Sequence, residues 1–491
     1  MLINCTFDVN ASTSTNSSIE AFVNCLSLRP NTSNLITRAI YTTQNASFSS
    51  VLQAYVRNLR FNTSSTPKPL AIVTPLEKSH VQATIICART HALEMRIRSG
   101  GHDYEGLSYV SLNPFIILDL FNLRSIDIDL QSDTAWVQTG ATVGELYYNI
   151  ANVSNTRAFP GGVCPTVGVG GHFTGGGYGN MLRKFGLTID NVIDAEIVDA
   201  SGTILYRKTM GEDLFWAIGG GGAASFCVVL AWKIRLVQVP EIVTTFNKAL
   251  ALEEGASNLF DQWQHVAPSL DPNLFIRAEA SVRLLDTEKS LKKDECKEQS
   301  WIQSTIYFYG LPMNSSLEVL LDRVPAMGVL YGKHKSDYIK EPIPKAGLDI
   351  LWKKMIEVDN TSMQFSPYGG KMNEILETAT PFPHRKGNLC KIQYLSYWKE
   401  NSIEITSRNI EGMKEIHNLM TPYVSKNPRE AFLNYRDIDI GTNANKTLAF
   451  AIDYFKGNLK RLLKVKAMVD PSNFFRNEQS IPILPIKKHI R

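Results

Sequence analysis

Two hydrophobic rhythms alternate along the chain. Apolar positions recurring at helical spacing from Ile19 and from Phe48 predict helices within residues 15–60. An apolar run at 68–75 ends at Pro75 and reads as a short strand. Residues 79–90 read as an amphipathic helix, and 94–98 as a strand that enters Ser99-Gly100-Gly101-His102. This is a β-α-β rhythm with a glycine turn at a strand end. Strands are expected at 115–120, 126–129 and 134–139, a helix at 143–153, a strand pair at 191–198 and 202–206, and a strand at 226–236. After Pro240 strands alternate with long helices, expected at 256–266, 315–324, 348–358 and 403–420. A last helix, 447–469, closes on the Asp470-Pro471 turn. No internal repeat is present. The expected organisation is a helical segment (1–65), a first domain (66–240), a second domain (241–450) and a returning C-terminal segment (451–491).

Composition narrows the class. The 491 residues are 44% hydrophobic and 20% charged, which suits a folded protein rather than a disordered one. The net charge of +4 is too small to indicate a nucleic-acid partner. No run of apolar residues is long enough to span a membrane. Residues 1–16 are polar and lack the apolar centre of a signal peptide. Ten Asn-x-Ser/Thr triplets occur, at Asn4, Asn10, Asn16, Asn31, Asn45, Asn62, Asn152, Asn314, Asn360 and Asn445. They read either as coincidence in a Ser/Thr-rich stretch or as N-glycan acceptors of a secreted protein whose leader has been removed. The second reading is preferred, with the apoplast, cell wall or vacuole as destination. The seven cysteines are Cys5, Cys25, Cys87, Cys164, Cys227, Cys296 and Cys390. They show no CxxC or Cys/His zinc spacing, so no metal is expected. Their odd number leaves at least one outside any disulfide.

Half of the 32 glycines lie in three short segments: three at 98–106, nine at 161–179 and four at 219–222. In the first, consecutive amides of Ser99, Gly100 and Gly101 could form an anion-binding concavity, with Arg98 suited to a pyrophosphate. A tight strand-to-loop turn is the plain alternative. It is neither a Walker A loop nor a GxGxxG fingerprint. The second segment would be costly as an ordinary loop, roughly 0.5–1 kcal/mol per glycine relative to alanine. Close approach to a large flat or phosphorylated ligand explains it better. Cys164 inside it is a nucleophile, a ligand or an inert buried thiol.

Several motifs together carry a family resemblance. They are Arg98-Ser-Gly-Gly-His102-Asp103-Tyr104-Glu-Gly106, Gly162-Val-Cys164-Pro-Thr-Val-Gly168-Val169-Gly170-Gly171-His172, Tyr368-Gly-Gly370, Pro381-Phe-Pro-His-Arg385, Asn434-Tyr-Arg-Asp-Ile-Asp-Ile-Gly441 and Asn473-Phe-Phe-Arg-Asn-Glu-Gln-Ser-Ile-Pro482. From about Cys25 to its end the chain resembles the berberine bridge enzyme-like flavoproteins of plants. That group includes cannabinoid synthases, monolignol and carbohydrate oxidases, and pollen allergens. The resemblance implies an α+β fold: a vanillyl-alcohol oxidase (PCMH-type) FAD-binding domain, plus a substrate domain of antiparallel sheet covered by helices. It implies FAD attached twice, through His102 to the 8α carbon and Cys164 to C6, which gives an unpaired cysteine its purpose. It pairs Cys25 with Cys87 and leaves Cys5, Cys227, Cys296 and Cys390 unassigned. The cofactor set is completed by Arg98, Ser99, Gly100, Gly101, Asp103, Gly168, Val169, Gly170, Gly171, His172, Gly175, Gly177 and Asn458.

By the same resemblance Tyr178 is the base that takes a substrate hydroxyl proton. A phenol of ordinary pKa near 10 is a poor base at neutral pH, so a cation must hold its phenolate. Lys391 matches that cation and Gln393 a polar partner. Tyr104 and Tyr454 match ring-lining tyrosines, with Tyr454 placed where cannabinoid synthases keep their base. Val167 matches the position that gates oxygen, so peroxide is the expected by-product. The implied reaction is hydride transfer from a phenolic or phenylpropanoid substrate to flavin N5, with O2 as oxidant and a monomer as the working state. Three departures stand out: Gly219-Gly-Gly-Gly222-Ala-Ala-Ser-Phe-Cys227 lacks an arginine and a later glycine, Cys390 replaces a common tyrosine, and Phe450-Ala451 replaces Trp-Gly. They suggest a pocket remodelled on the ring and substrate side. They also leave open an alternative, a Diels–Alder-type cyclase that keeps its flavin without net oxidation.

Overall fold

The computed structural model describes residues 10–29, 34–282, 296–445 and 448–484. Asn4, Asn31 and Cys5 lie outside them. Three sheets organise the chain. The first has the order Ile40–Thr42, Ala71–Val73, Phe115–Asp119, Glu94–Arg98. Its last three strands are parallel. The Ala71–Val73 and Phe115–Asp119 strands are buried throughout, as continuous apolar runs in a parallel sheet must be. The second sheet is antiparallel: Ile126–Asp129, Thr134–Gln138, Val228–Arg235, Val192–Val198, Ile204–Tyr206. The helix Val143–Val153 beside it starts on a capping box, in which Thr142 Oγ1 accepts from the Glu145 amide at 3.1 Å and Glu145 returns a bond to the Thr142 amide at 2.8 Å.

The third sheet, also antiparallel, runs Ala278–Ala280, Thr361–Pro367, Cys390–Trp398, Tyr331–Ile339. Period-two alternation splits its two long inner strands. Met363, Phe365, Cys390, Ile392 and Tyr394 pack with Leu348, Leu351, Met355, Met413 and Ile416 of the helices Lys345–Val358 and Ile403–Leu419. Ser366, Lys391 and Gln393 point from the other face. Ser366 and Lys391 are cross-strand partners, as are Lys391 and Tyr338.

Some expected elements differ. Within 15–60 the α-helices are Asn10–Ser27 and Phe48–Gln53. Ile40–Thr42 is instead a strand, because it pairs with Ala71–Val73 and its end is held by the Asn45 side chain, 2.7 Å from the Thr42 amide. The expected helix at 315–324 is a 3-10 turn, Leu317–Leu321, between Pro312 and Pro325. The last helix breaks into Ala449–Phe455 and Leu459–Val469, since Lys456 takes φ 48°. The structure adds the helices Arg207–Ile218, kinked at Gly211, and Trp301–Tyr309, and the short helices Val169–Thr174, Leu182–Phe185 and Lys371–Glu374, where the periodicity predicts none.

The chain end is tied back by one buried amine. Lys466 Nζ reaches the Ser225 carbonyl (2.7 Å), Asp470 Oδ2 (2.7 Å) and the Phe475 carbonyl (2.6 Å). Phe474 and Phe475 pack in the same apolar cluster as Phe22, Val81 and Leu118. Cys25 and Cys87 form a disulfide that joins Asn10–Ser27 to Lys78–Thr90 across a separation of 62 residues. On the chain-entropy relation a loop of that length contributes about 4 kcal/mol. Replacing both cysteines with serine should therefore lower the thermal midpoint by several degrees, and an unchanged midpoint would show that the bridge constrains nothing.

Candidate active site

The first two glycine segments meet each other. A Cβ on Gly100 would lie 2.3 Å from the Gly168 amide nitrogen, and one on Gly168 only 2.2 Å from that of Gly100. Other glycines of the run are equally committed to the protein's own chain. A Cβ on Gly179 would strike the Gly161 carbonyl at 1.7 Å, one on Gly175 the Asn434 side chain at 1.9 Å, and one on Gly177 Thr188 at 2.4 Å. Gly170 has Ser99 and Thr139 at 3.1 Å, whereas Gly171 has nothing within 4 Å. Gly171 is thus left open, while packing against the chain's own backbone and side chains accounts for the others.

Several of the side chains expected at the cofactor have partners within the chain itself. The Arg98 side chain is wholly buried, held by Asp119 at 2.7 and 3.0 Å and by the carbonyls of Leu52 and Val51. It anchors the turn and has no face left for a pyrophosphate. Ser99 Oγ donates to the Thr139 carbonyl at 2.6 Å. Val169 is fully buried in the apolar core. Asn458 donates to the carbonyls of Glu377, Thr380 and Pro381, so it staples that loop. Asp103 Oδ1 accepts from the amides of Glu105 and Leu107, and its carboxylate pairs with Arg436 at 3.1 Å. His172 Nε2 accepts from the Gly162 amide at 3.0 Å.

What remains open is coherent. Among the described residues, no acceptor takes the amides of Gly100, Gly101 or His102. His102 Nε2 lies 3.0 Å from Thr166 Oγ1, and burial, aided by Arg57, pushes its imidazole down to about 3, so the ring is neutral. The Cys164 thiol is solvent-accessible, yet its surroundings are dense enough that desolvation pushes its pKa up against the pull of Arg277. The thiol is thus open to solvent-sized access within a crowded surrounding. Free amides at a turn, an open glycine, a neutral imidazole and a thiol on one cleft fit a large anionic ring cofactor.

The catalytic candidates line the polar face of the third sheet. The Tyr178 hydroxyl donates to Ser366 Oγ, and Arg277 Nη2 approaches it at 3.4 Å. Lys391 Nζ sits 3.5 Å from the centroid of the Tyr178 ring, over its face rather than at its oxygen. The rings of Tyr435 (4.1 Å) and Phe432 (4.3 Å) complete its surroundings. Among the described residues this ammonium finds no hydrogen-bond acceptor, and burial, with Arg277, presses its pKa well below the usual lysine range. Gln393 Nε2 donates to the Tyr104 hydroxyl at 2.6 Å. Tyr104 stacks near Tyr435 at 5.9 Å and near His334 at 3.9 Å.

Tyr454 is not with them. It is buried in the core, and its hydroxyl accepts from the Asp437 amide at 3.1 Å and meets Gln479 at 3.4 Å. Tyr435 is the tyrosine that stands beside Lys391 and Tyr104. The signal was present in Asn434-Tyr435, because Asn434 docks on the His172 carbonyl at 2.8 Å and so delivers the next residue to the cleft. Arg277 and Ser366 also went unrecognised; the first has no motif around it, and the second directly precedes Pro367-Tyr368-Gly369. Three departures are likewise relocated. Cys227, Phe450 and Ala451 lie in one apolar core and Cys390 in another, on the helix-covered side of the sheet. These side chains fill the interior.

A buried charge network sets the walls. Lys333 Nζ reaches Glu105 (2.6 Å) and Asp437 (2.7 Å), and Lys335 Nζ reaches Asp437 (2.6 Å) and Asp439 (2.7 Å). It joins the turn carrying His102 and Tyr104 to the loop carrying Tyr435.

Comparisons agree with this reading. Residues 69–206 match the FAD binding domain family, and residues 431–482 match the family described as berberine and berberine like. Berberine bridge enzyme-like 8 of Arabidopsis thaliana is 50% identical over 96% of this chain and 97% of its own. The chain belongs to the berberine bridge enzyme-like family. It is an FAD-linked oxidoreductase with a PCMH-type FAD-binding domain in an α+β fold. The structure of BBE-like #28 from Arabidopsis thaliana superposes with a TM-score of 0.88 at 42% identity, covering 95% of this chain and 100% of that one. Phl p 4, a grass pollen allergen with glucose dehydrogenase activity, gives 0.89 at 41%, covering 94% and 99%. No helix among the described residues is long and apolar enough to cross a membrane.

Two outcomes test the geometry. Gly100→Ala cannot fit without parting the two loops, so it should abolish flavin loading, measured as the ratio of flavin to protein absorbance; normal loading would refute the contact. His102, His172, His334 and His417 are held neutral by burial, at about 3, 4, 3 and 4. Because their folded values lie below the unfolded 6.5, the unfolded chain binds more protons in this window and stability falls as pH drops from about 6.5 to about 4. A thermal midpoint that stayed flat across that range would contradict this.

Proposed function

We propose that this protein is a secreted oxidase of plant specialised metabolism that converts a phenolic or phenylpropanoid-type alcohol to its carbonyl. The observation that carries this reading is the cluster at Tyr178: a phenol whose oxygen meets Ser366 and Arg277, and whose ring face lies under Lys391, beside the open thiol of Cys164. Tyr178 takes the hydroxyl proton as hydride leaves the carbinol carbon. The positive charge of Arg277 at the oxygen favours the phenolate that does so. Tyr104, Tyr397 and Tyr435 present aromatic surface to a flat substrate. His102 and Cys164 would hold the FAD, one at each end of the cleft's open backbone. When bound, FAD accepts the hydride and passes the electrons to O2, giving H2O2. Val167, half-buried and three residues after Cys164, is the residue that would govern oxygen access. Secretion and N-glycosylation are supported by the disulfide and by exposed acceptors at Asn45, Asn152 and Asn314.

Acid-precipitated protein should keep its yellow colour, and the colour should survive either His102→Ala or Cys164→Ala alone. Under anaerobic mixing with cinnamyl-type alcohols, Tyr178→Phe should slow flavin bleaching by about 10²–10⁴-fold, the usual worth of a general base. An unchanged bleaching rate would remove Tyr178 from the mechanism. Bleaching by simple sugars but by no aromatic alcohol would overturn the substrate class.

A further inference from the structure

We infer that Ser366 is a positioning residue for the base: it holds the Tyr178 oxygen in its ionised state by reversing their shared hydrogen bond. The inference rests on Tyr178 being the proton acceptor.

Ser366 lies near the end of Thr361–Pro367, directly across from Lys391 in the sheet register. Its backbone is fixed by that pairing, and its side chain is buried. The Tyr178 hydroxyl donates to Ser366 Oγ, and this is the closest polar contact the phenol makes. Among the described residues, nothing accepts the serine's own hydroxyl proton. A serine hydroxyl rotates freely and can act as donor or acceptor. With the phenol protonated, Ser366 accepts. Once Tyr178 has released its proton to solvent, Ser366 turns its own O–H to the phenolate, and no heavy atom has to move.

The other groups around Tyr178 do not supply this contact. Arg277 stands at 3.4 Å and shares its guanidinium with Asn180 (2.9 Å) and Glu279 (3.6 Å). Lys391 faces the ring, where it attracts π density but donates nothing to the oxygen. Tyr338 and Tyr368 pack in the same cluster, Tyr435 lies across Lys391, and His172 is bonded to the Gly162 amide. Ser366 is therefore the neutral donor in line with the phenolate oxygen, and a hydrogen bond to a charged group is worth more than one between neutral groups.

The test needs no substrate. The flavin-loaded protein is titrated with base while near-ultraviolet phenolate absorbance is followed, and the contribution of Tyr178 is the difference from Tyr178→Phe. In Ser366→Ala this contribution should emerge about one pH unit higher, a tenfold loss of phenolate at a given pH. Ser366→Thr and Ser366→Val have nearly the same shape and separate the hydroxyl from packing. The first should titrate like the unaltered protein and the second like Ser366→Ala. If the Ser366→Ala and unaltered curves coincide while both differ from Tyr178→Phe, the inference fails and the base assignment survives. If the unaltered protein and Tyr178→Phe coincide, both fall. Equal shifts in the threonine and valine variants would make Ser366 a packing residue and also overturn the inference.

Discussion

The site depends on one contact without side chains: Gly100 against Gly168, backbone to backbone. The turn after Glu94–Arg98 and the loop before Val169–Thr174 come from different sheets' surroundings, and each carries one prospective cofactor anchor, His102 or Cys164. Any Cβ at either position would part them by more than an ångström. The Thr166 hydroxyl then reaches His102, and the Ser99 hydroxyl reaches Thr139, so three segments close around the junction. Close packing fixes the distance between the two anchors before any ligand arrives, which is what preorganisation means for a site that must hold a rigid ring.

A second constraint acts at right angles to the first. The long strand Tyr331–Ile339 is buried along almost its whole length although it reads Lys-His-Lys-Ser-Asp in its middle. Apolar packing cannot absorb such a strand; partners must. Lys333 and Lys335 meet Glu105, Asp437 and Asp439, and Asp337 meets Arg429 at 2.6 Å. Breaking one member of a buried pair leaves an uncompensated charge, at about 3–5 kcal/mol. The network therefore permits few alternative placements of the loops bearing Tyr104 and Tyr435, and specificity of arrangement is its contribution rather than raw stability.

Local patterns made much of this legible. Alternation and helical period located most strands and helices, because an amphipathic face or a buried parallel strand leaves its period in the residues themselves. The errors fell where tertiary contacts overrode local preference. Ile40–Thr42 is a strand only because Ala71–Val73 offers an edge, and the helix breaks on a positive-φ lysine, Lys456, with only Gly457 beside it as a local signal. The family motifs also contain side chains that serve the chain's own structure. Arg98 and Asn458 sit in those motifs and serve the chain's own carbonyls. Tyr454 is a buried core phenol, whereas Tyr435 lies beside Lys391 and Tyr104. Arg277 carries no sequence signal, since it becomes part of the site only when Ala278–Ala280 pairs with Thr361–Pro367.

The substituted positions make the same point in reverse. Cys227, Cys390, Phe450 and Ala451 distinguish this chain from its family pattern, and proximity in sequence to Lys391 and Tyr454 suggested an altered pocket. Strand parity decides otherwise for Cys390: one residue from Lys391, it faces the opposite side of the sheet, among Met355, Met413 and Ile416. Phe450 and Ala451 fill core volume beside Leu462, where a large-to-small change at one site can be met by a small-to-large change at the next. What differs at these positions is how the interior is filled, while Tyr178, Lys391 and Gln393 stand on the opposite face of the sheet or against it. Around one phenol the fold gathers a buried serine, an arginine and a lysine, an arrangement that suits a group whose oxygen exchanges a proton.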